Sequence, residues 1–393
     1  MSRDTSRVVR ALPRVVILLG LVSLFNDAAS EMVVPLIPVW LLAFGQGPVA
    51  LGLIEGVADA VASLLKLWSG RLSDRLAHRK GLAVGGYALS NILRPLIGLA
   101  TQWGVVLGLR AGDRVGKGLR TAPRDAMLAD AAPPEISAYA YGFHRAMDNA
   151  GAVLGTLAAA VIISRTGAPI SEVLTASVLP GAVAVLLIAF AVKEAPAVRT
   201  RLEKPPPARP WSHLPPGLRY YLAVLSLFAI ARASEVFVVL RARTEGVSIV
   251  SSLVLWAVFN GAKALTAGAG GRLADRHGNR RVLLISWSAH AIGFLLIGIA
   301  QAAVLWIAVI FYGLCAGFGE GAERARVRDL ASDQERGAAF GWYHLVIGLA
   351  AIPGGLLFGG VWHFASARAA FWLSAALMVI AAALLKTGPS GAR

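Results

Sequence analysis

The chain has 393 residues, of which 56% are hydrophobic and only 15% charged, and its mean hydropathy is +0.65. A soluble chain carries roughly a quarter charged residues, so this composition excludes an ordinary soluble globular protein. The single cysteine, Cys315, excludes an internal disulfide framework and a Cys-based metal cluster, and in its apolar run it reads as a small core residue.

Apolar runs of about 20 residues, each long enough to cross ~30 Å of hydrocarbon, recur along the chain. Backbone groups in lipid must be satisfied within their own segment, so these runs are expected to be α-helices. Their spacing predicts twelve, over 15–43, 48–69, 81–101, 104–123, 139–163, 171–192, 219–243, 249–270, 282–301, 303–323, 337–361 and 369–386. The fold class is therefore all-α integral membrane. The basic opening MSRDTSRVVRALPR precedes a run too long for a signal peptide's apolar region and lacking a clear cleavage site. It reads as a cytoplasmic tail before the first transmembrane helix.

The net charge of +16 invites a nucleic-acid reading that its distribution rejects. Lys and Arg crowd onto the side of the N-terminus, and only Arg165, Arg241, Arg243 and Arg368 fall on the far side. That bias predicts a multi-pass protein of the inner (plasma) membrane with both termini in the cytoplasm. The expected partners are the lipid bilayer, a small solute and protons, with no nucleic acid, and the chain is expected to act as a monomer.

An ionisable side chain at bilayer depth is costly and normally faces a cavity or a partner. In the first predicted helix Asp27 and Glu31 are one turn apart, and Asp27 lies ~18 Å along it from Val15, a little past the midplane. In the second, Glu55, Asp59 and Lys66 form one stripe, at i, i+4 and i+11. In the fourth, Arg110, Asp113, Arg114 and Lys117 form another, at 0, +3, +4 and +7. Arg94 lies in the third, and His144, Arg145, Asp148 and Asn149 make a polar patch on the fifth. The second half holds fewer: Arg232 and Glu235 in the seventh, Lys263 in the eighth, and Glu320, Glu323 and Arg324 near the end of the tenth, where they read equally well as solvated groups. Trp256 and Trp287 read as packing, with an aromatic substrate wall as the alternative.

These charges leave two functional readings open. One carboxylate among Asp27, Glu31 and Asp113, set against Arg110 or Arg114, can take up a proton in exchange for solute, with the proton gradient as energy source. Alternatively Arg110, Arg114, Lys117 and Arg145 bind an organic anion directly, because guanidinium forks match carboxylates and phosphates. There is no phosphate-cradling loop, nucleophile elbow or HExxH pair, so an enzyme is not expected. No cofactor is expected, nor a metal, because no His/Cys/Met cluster has a ligand spacing. A non-transporting sensor or scaffold would have only the central polar loop as a soluble part, and that loop has too few apolar residues to fold alone.

The loop is KEAPAVRTRLEKPPPARPWSHLPPG, from Lys193 to Gly217, and its prolines favour an extended linker. It divides the chain into a bundle over 1–192, a cytoplasmic linker over 193–218 and a second bundle over 219–393. The halves also repeat each other. GRLSDRLAHRK, from Gly70, recurs as GRLADRHGNRR, from Gly271. SLFNDAASE, ending at Glu31, recurs as SLFAIARASE, ending at Glu235, and GFHRAMDNAGAVLG, from Gly142, recurs loosely as GWYHLVIGLAAIPG, from Gly341. Three matches in the same order indicate duplication.

With these features the chain resembles the major facilitator superfamily. Its Gly-x-x-x-Asp-Arg pattern with further basic residues is met by Gly70, Asp74, Arg75, Arg79 and Lys80, and again by Gly271, Asp275, Arg276, Arg280 and Arg281. The resemblance implies two pseudo-symmetric six-helix bundles and a secondary transporter working by alternating access. It also implies that the two loops latch the cytoplasmic side when the carrier faces outward, Asp74 and Asp275 capping and relaying charge with Arg75 and Arg276 as partners. A weaker resemblance links DAASEMVVPLIPVWL, from Asp27, to the first helix of drug–proton antiporters and so implies proton-coupled efflux. LGLRAGDRVGKGLR supplies the fourth-helix Arg110, Gly116 and Gly118 of those antiporters, and puts Asp113 where they have glutamine.

Overall fold

The computed structural model describes residues 12–75, 79–132, 136–193, 210–332 and 336–389. They form twelve helical rods in chain order. The first six are α1 (Arg14–Ala43), α2 (Pro48–Arg75), α3 (Lys80–Leu99), α4 (Trp103–Ala131), α5 (Ser137–Thr166) and α6 (Ile170–Ala191). The second six are α7, in two pieces (Pro216–Ala231 and Phe237–Thr244), α8 (Ile249–His277), α9 (Asn279–Ile299), α10 (Ala302–Leu330), α11 (Arg336–Phe364) and α12 (Ala367–Thr387). Most of the expected linker, 194–209, lies outside the described residues.

Ten of the rods are long and apolar enough to cross a membrane. The exceptions have visible causes: α4 carries the charged stripe, and α7 is interrupted. Leu179, Phe190 and Ile307 project outward and are largely exposed, as a lipid-facing surface requires and a water-facing one rarely shows. The interior is close-packed, with Phe228 stacked on Trp287 at 4.2 Å between ring centres.

Several boundaries differ from the periodicity. The rods α2, α4, α8 and α10 run six to eight residues past their predicted ends at 69, 123, 270 and 323, because polar, basic ends leave the hydrocarbon without leaving the helix. Residues 70–75 and 271–277 are therefore the last turns of α2 and α8 rather than loops. The end of the molecule where they lie is here called the motif end. In α1, Pro35 and Pro38 tighten one turn into a 3-10 helix at Val34–Leu36. In α7 the chain unwinds over 232–236, where a single continuous helix was expected.

The rods pack as two six-rod bundles, which meet where α2 lies along α11 and α5 along α8. Away from the motif end the first contact is backbone to backbone. A Cβ on Gly355 would sit 2.2 Å from the Gly52 carbonyl oxygen, and one on Gly52 only 2.0 Å from that of Gly355. Only glycine at both positions permits this approach. The outer pieces of α1 and α7 also touch there, so that end is shut.

Candidate functional site

A cavity of about 530 Å3 lies between the bundles. At the closed end it stops against Val34, Val236 and Gly355, all buried. Toward the motif end its wall includes Arg145 and Arg324, whose side chains are 52% and 53% exposed. The cavity therefore opens at the motif end.

Its walls are charged on both sides. From the first bundle the cavity receives Asp27 and Glu31 of α1, Glu55, Asp59 and Lys66 of α2, Arg110, Arg114 and Lys117 of α4, and Arg145 and Asp148 of α5. The helical spacing explains why each stripe faces one way. Asp113 is the exception: it points from α4 toward α3, away from the cavity. There it accepts from Arg94 at 2.9 Å and from Arg110 at 3.3 Å, all three side chains being essentially inaccessible. Arg110 completes the chain by donating two bonds to Glu55, at 3.0 and 3.1 Å. A buried aspartate with two guanidinium partners is a fixed structural element, since Arg94 without it would be left as an uncompensated buried charge.

The second bundle has its own pairs. Glu235, in the break of α7, accepts from Lys263 of α8 at 2.8 and 3.1 Å. Arg232, at the start of the break, reaches Glu323 of α10 at 3.5 Å. Unwinding there lets both charges of one short segment reach different neighbouring rods and lets backbone line the cavity.

Further contacts lie at the opening and along the boundary between the bundles. Arg145 bonds Glu320 across the bundles at 2.5 Å, and Glu320 also accepts from Arg324 at 3.0 Å. Glu31 accepts from the indole N–H of Trp256 across the bundles at 2.7 Å. Asp148 accepts a short bond from Ser23 and lies 3.7 Å from His144 Nδ1. Asp27 accepts from the Asn26 amide, at 2.9 Å, and from no other side chain among the described residues.

The repeated motifs sit at the motif end, with Gly70, Asp74 and Arg75 in the last turns of α2 and Gly271, Asp275 and Arg276 in those of α8. The side chains of Asp74 and Arg75 lie outside the described residues; Asp275 and Arg276 are exposed. Arg79 pairs with Asp130 at the end of α4, at 2.7 Å. Arg280 donates to the carbonyls of Leu385, Lys386 and Gly388, at 3.1, 2.6 and 2.8 Å, and so caps α12. These contacts of the two arginines lie within their own bundles.

Sequence spacing did not mark Trp256, Glu320, Glu323, Lys263 or Arg94 as parts of the site. Only the rule that intramembrane charge is functional pointed at the last four, and the tryptophan read first as packing.

A charged cavity between two pseudo-symmetric helical bundles, shut at one end, defines a membrane carrier. The sequence pattern of the Major Facilitator Superfamily matches residues 19–262 and 242–392, and the chain belongs to that superfamily. It is similar to an uncharacterised MFS-type transporter of Methanocaldococcus jannaschii, 29% identical over 385 residues that span 96% of this chain and 95% of the relative. It is also similar to an uncharacterised protein of Mycobacterium tuberculosis, 27% identical over 392 residues with the same coverage. Solved structures share the fold. A bacterial homolog of the human lysosomal transporter Spinster, inward-facing and unoccupied, superimposes with a TM-score of 0.71 at 18% identity over the whole of both chains. The human organic anion transporter MFSD10 (TETRAN) does so with a TM-score of 0.69 at 20% identity, over 98% of this chain and all of that one. The chain is thus a multi-pass secondary transporter of a small solute.

Proposed function

We propose that the transport is proton-coupled and that the proton is carried by the unpaired carboxylates of the first bundle. The observation that supports this is the pairing pattern. Glu55, Asp148, Glu235, Glu320 and Glu323 all have a cationic partner within 4.0 Å. Asp27, Glu31 and Asp59 line the same cavity with no ion pair among the described residues. A carboxylate without a counter-charge gains most from binding a proton. Glu31 has a further property of a coupling group. Its bond to Trp256 spans the bundles, so occupancy of that oxygen is tied to which end is shut.

In this reading the motif end is cytoplasmic, the membrane is the plasma membrane and the carrier works as a monomer. The direction is export, following the resemblance of the first helix to drug–proton antiporters. The test is proton-driven flux in proteoliposomes with D27N, E31Q and D59N measured singly. At least one variant is expected to keep solute exchange while losing the response to a pH gradient. Full coupling in all three would sink the proposal. Asp113 no longer belongs in that set, because its two guanidinium partners hold it behind the wall. Of the four residues in the organic-anion reading, Arg110 and Arg145 already hold carboxylates, which leaves Arg114 and Lys117 as its support.

A further inference from the structure

We propose that the seam between α2 and α4 is a binding subsite for the oxyanion head, carboxylate or phosphate, of the transported solute, formed by Lys66, Arg114 and Lys117. This rests on the carrier reading above and assigns the class of its cargo.

Eight cationic side chains line the cavity, counting Lys66, Arg110, Arg114, Lys117, Arg145, Arg232, Lys263 and Arg324. Five are held by carboxylates, through Glu55, Glu320, Glu323 and Glu235. The remaining three have no ion pair among the described residues, and they are neighbours. The rods α2 and α4 all but touch at one point. A Cβ on Gly118 would meet Leu65 Cβ at 2.5 Å, and Ser69 Oγ donates to the Gly118 carbonyl at 2.7 Å. Lys66 follows Leu65 and Lys117 precedes Gly118, so the contact sets the two lysines beside one seam, and both line the cavity. Arg114 lies one turn along α4 on the same face. Its side chain is 8% exposed, and its Nε is buried with no hydrogen-bond partner.

Three cations held together with no carboxylate in ion-pair contact among the described residues is an unfavourable arrangement, and a buried donor without an acceptor adds to it. Unpaired acids also line the cavity, Asp27 and Glu31 from α1 and Asp59 two turns along α2 from Lys66. The two sets are not equivalent. A carboxylate can shed its charge by taking a proton and an ammonium by losing one, whereas the Arg114 guanidinium stays charged. The fixed charge at this seam that the solute itself must meet is therefore positive. A forked oxyanion can accept from the Arg114 fork and from both ammonium groups together.

The test is equilibrium binding to purified full-length protein in detergent, without any gradient, by calorimetry. The probes are benzoate, succinate and inorganic phosphate, with tetraphenylphosphonium as the cationic contrast. At least one anionic probe is expected to bind, and carboxylates against phosphate reports which head fits. K66Q, R114Q and K117Q should each weaken that probe about tenfold or more, equivalent to about 1.4 kcal/mol. R114K should retain part of the affinity, and R368Q, far from the cavity, all of it. If R114Q does not fold, the half-buried Lys66 and Lys117 carry the test alone. The proposal is overturned if no anionic probe binds the wild-type protein at tens of millimolar. It is equally overturned if K66Q and K117Q leave anion affinity unchanged, or if tetraphenylphosphonium is bound in preference. Because no pH gradient enters the measurement, such a failure is distinguishable from a failure of proton coupling, which flux alone reports.

Discussion

Asp113 sets the behaviour of the first bundle's interior through two short contacts, to Arg94 and Arg110. Removing its charge strands Arg94, which is 1% exposed, and the loss of one partner from a buried pair costs about 3–5 kcal/mol. D113N is therefore expected to lower the unfolding temperature in detergent markedly, whereas D27N, at a half-buried site with one amide contact, should leave it nearly unchanged. Comparing the two melting curves separates a structural carboxylate from a functional one. Trp256 works in the opposite sense, across the bundles. A hydrogen bond to a charged group contributes about 1.5–3 kcal/mol. W256F should shift the population away from the state shut at the Val34 end by about tenfold or more. The readout is faster labelling of a cysteine placed at Val34 from that side.

At the scale of the element, α2 and α11 are pressed together by glycine. A methyl group at Gly355 would lie 2.2 Å from the Gly52 carbonyl oxygen, where no side-chain rotation can relieve the clash because the Cβ has no freedom. G355A is expected to force the rods apart at the closed end and abolish solute accumulation while leaving the helical content by circular dichroism intact. The break in α7 is the other decisive element. Periodicity predicts one helix over 219–243, and nothing in ARASE is a strong helix breaker. The break follows from charges that find partners on α8 and α10, a tertiary cause that local sequence does not carry. The proline-tightened turn of α1, by contrast, was readable from Pro35 and Pro38.

For the whole molecule the relevant quantity is the balance between states open at opposite ends. Here the motif end is open, and Arg145–Glu320 bridges the bundles near its mouth. With side chains 52% and 27% exposed, this pair is worth about 0–1 kcal/mol, too little to hold the state alone. R145Q is expected to change the spin-label distance distribution between the motif ends of α5 and α10 only slightly, and the charge swap R145E with E320R should restore it. A large collapse to the other state in R145Q would show that the bridge, rather than the glycine contact, governs opening.

The sequence by itself determined the membrane, the number of rods, the duplication and the superfamily, because these depend on apolar run length, hydrophobic period and self-similarity, which are local or statistical properties of the chain. It also placed the embedded charges on shared faces, as Glu55, Asp59 and Lys66 illustrate. Only the tertiary structure decided which charges cancel. Arg145 and Glu320 are 175 positions apart and Glu31 and Trp256 are 225 apart, and no periodicity relates them. A step of ~100° along α4 separates Asp113, locked behind the wall, from Arg114, which lines the cavity. The charge the cavity leaves unmatched is thus set by packing, because Coulomb pairing acts over a few ångströms of space and is blind to distance along the chain.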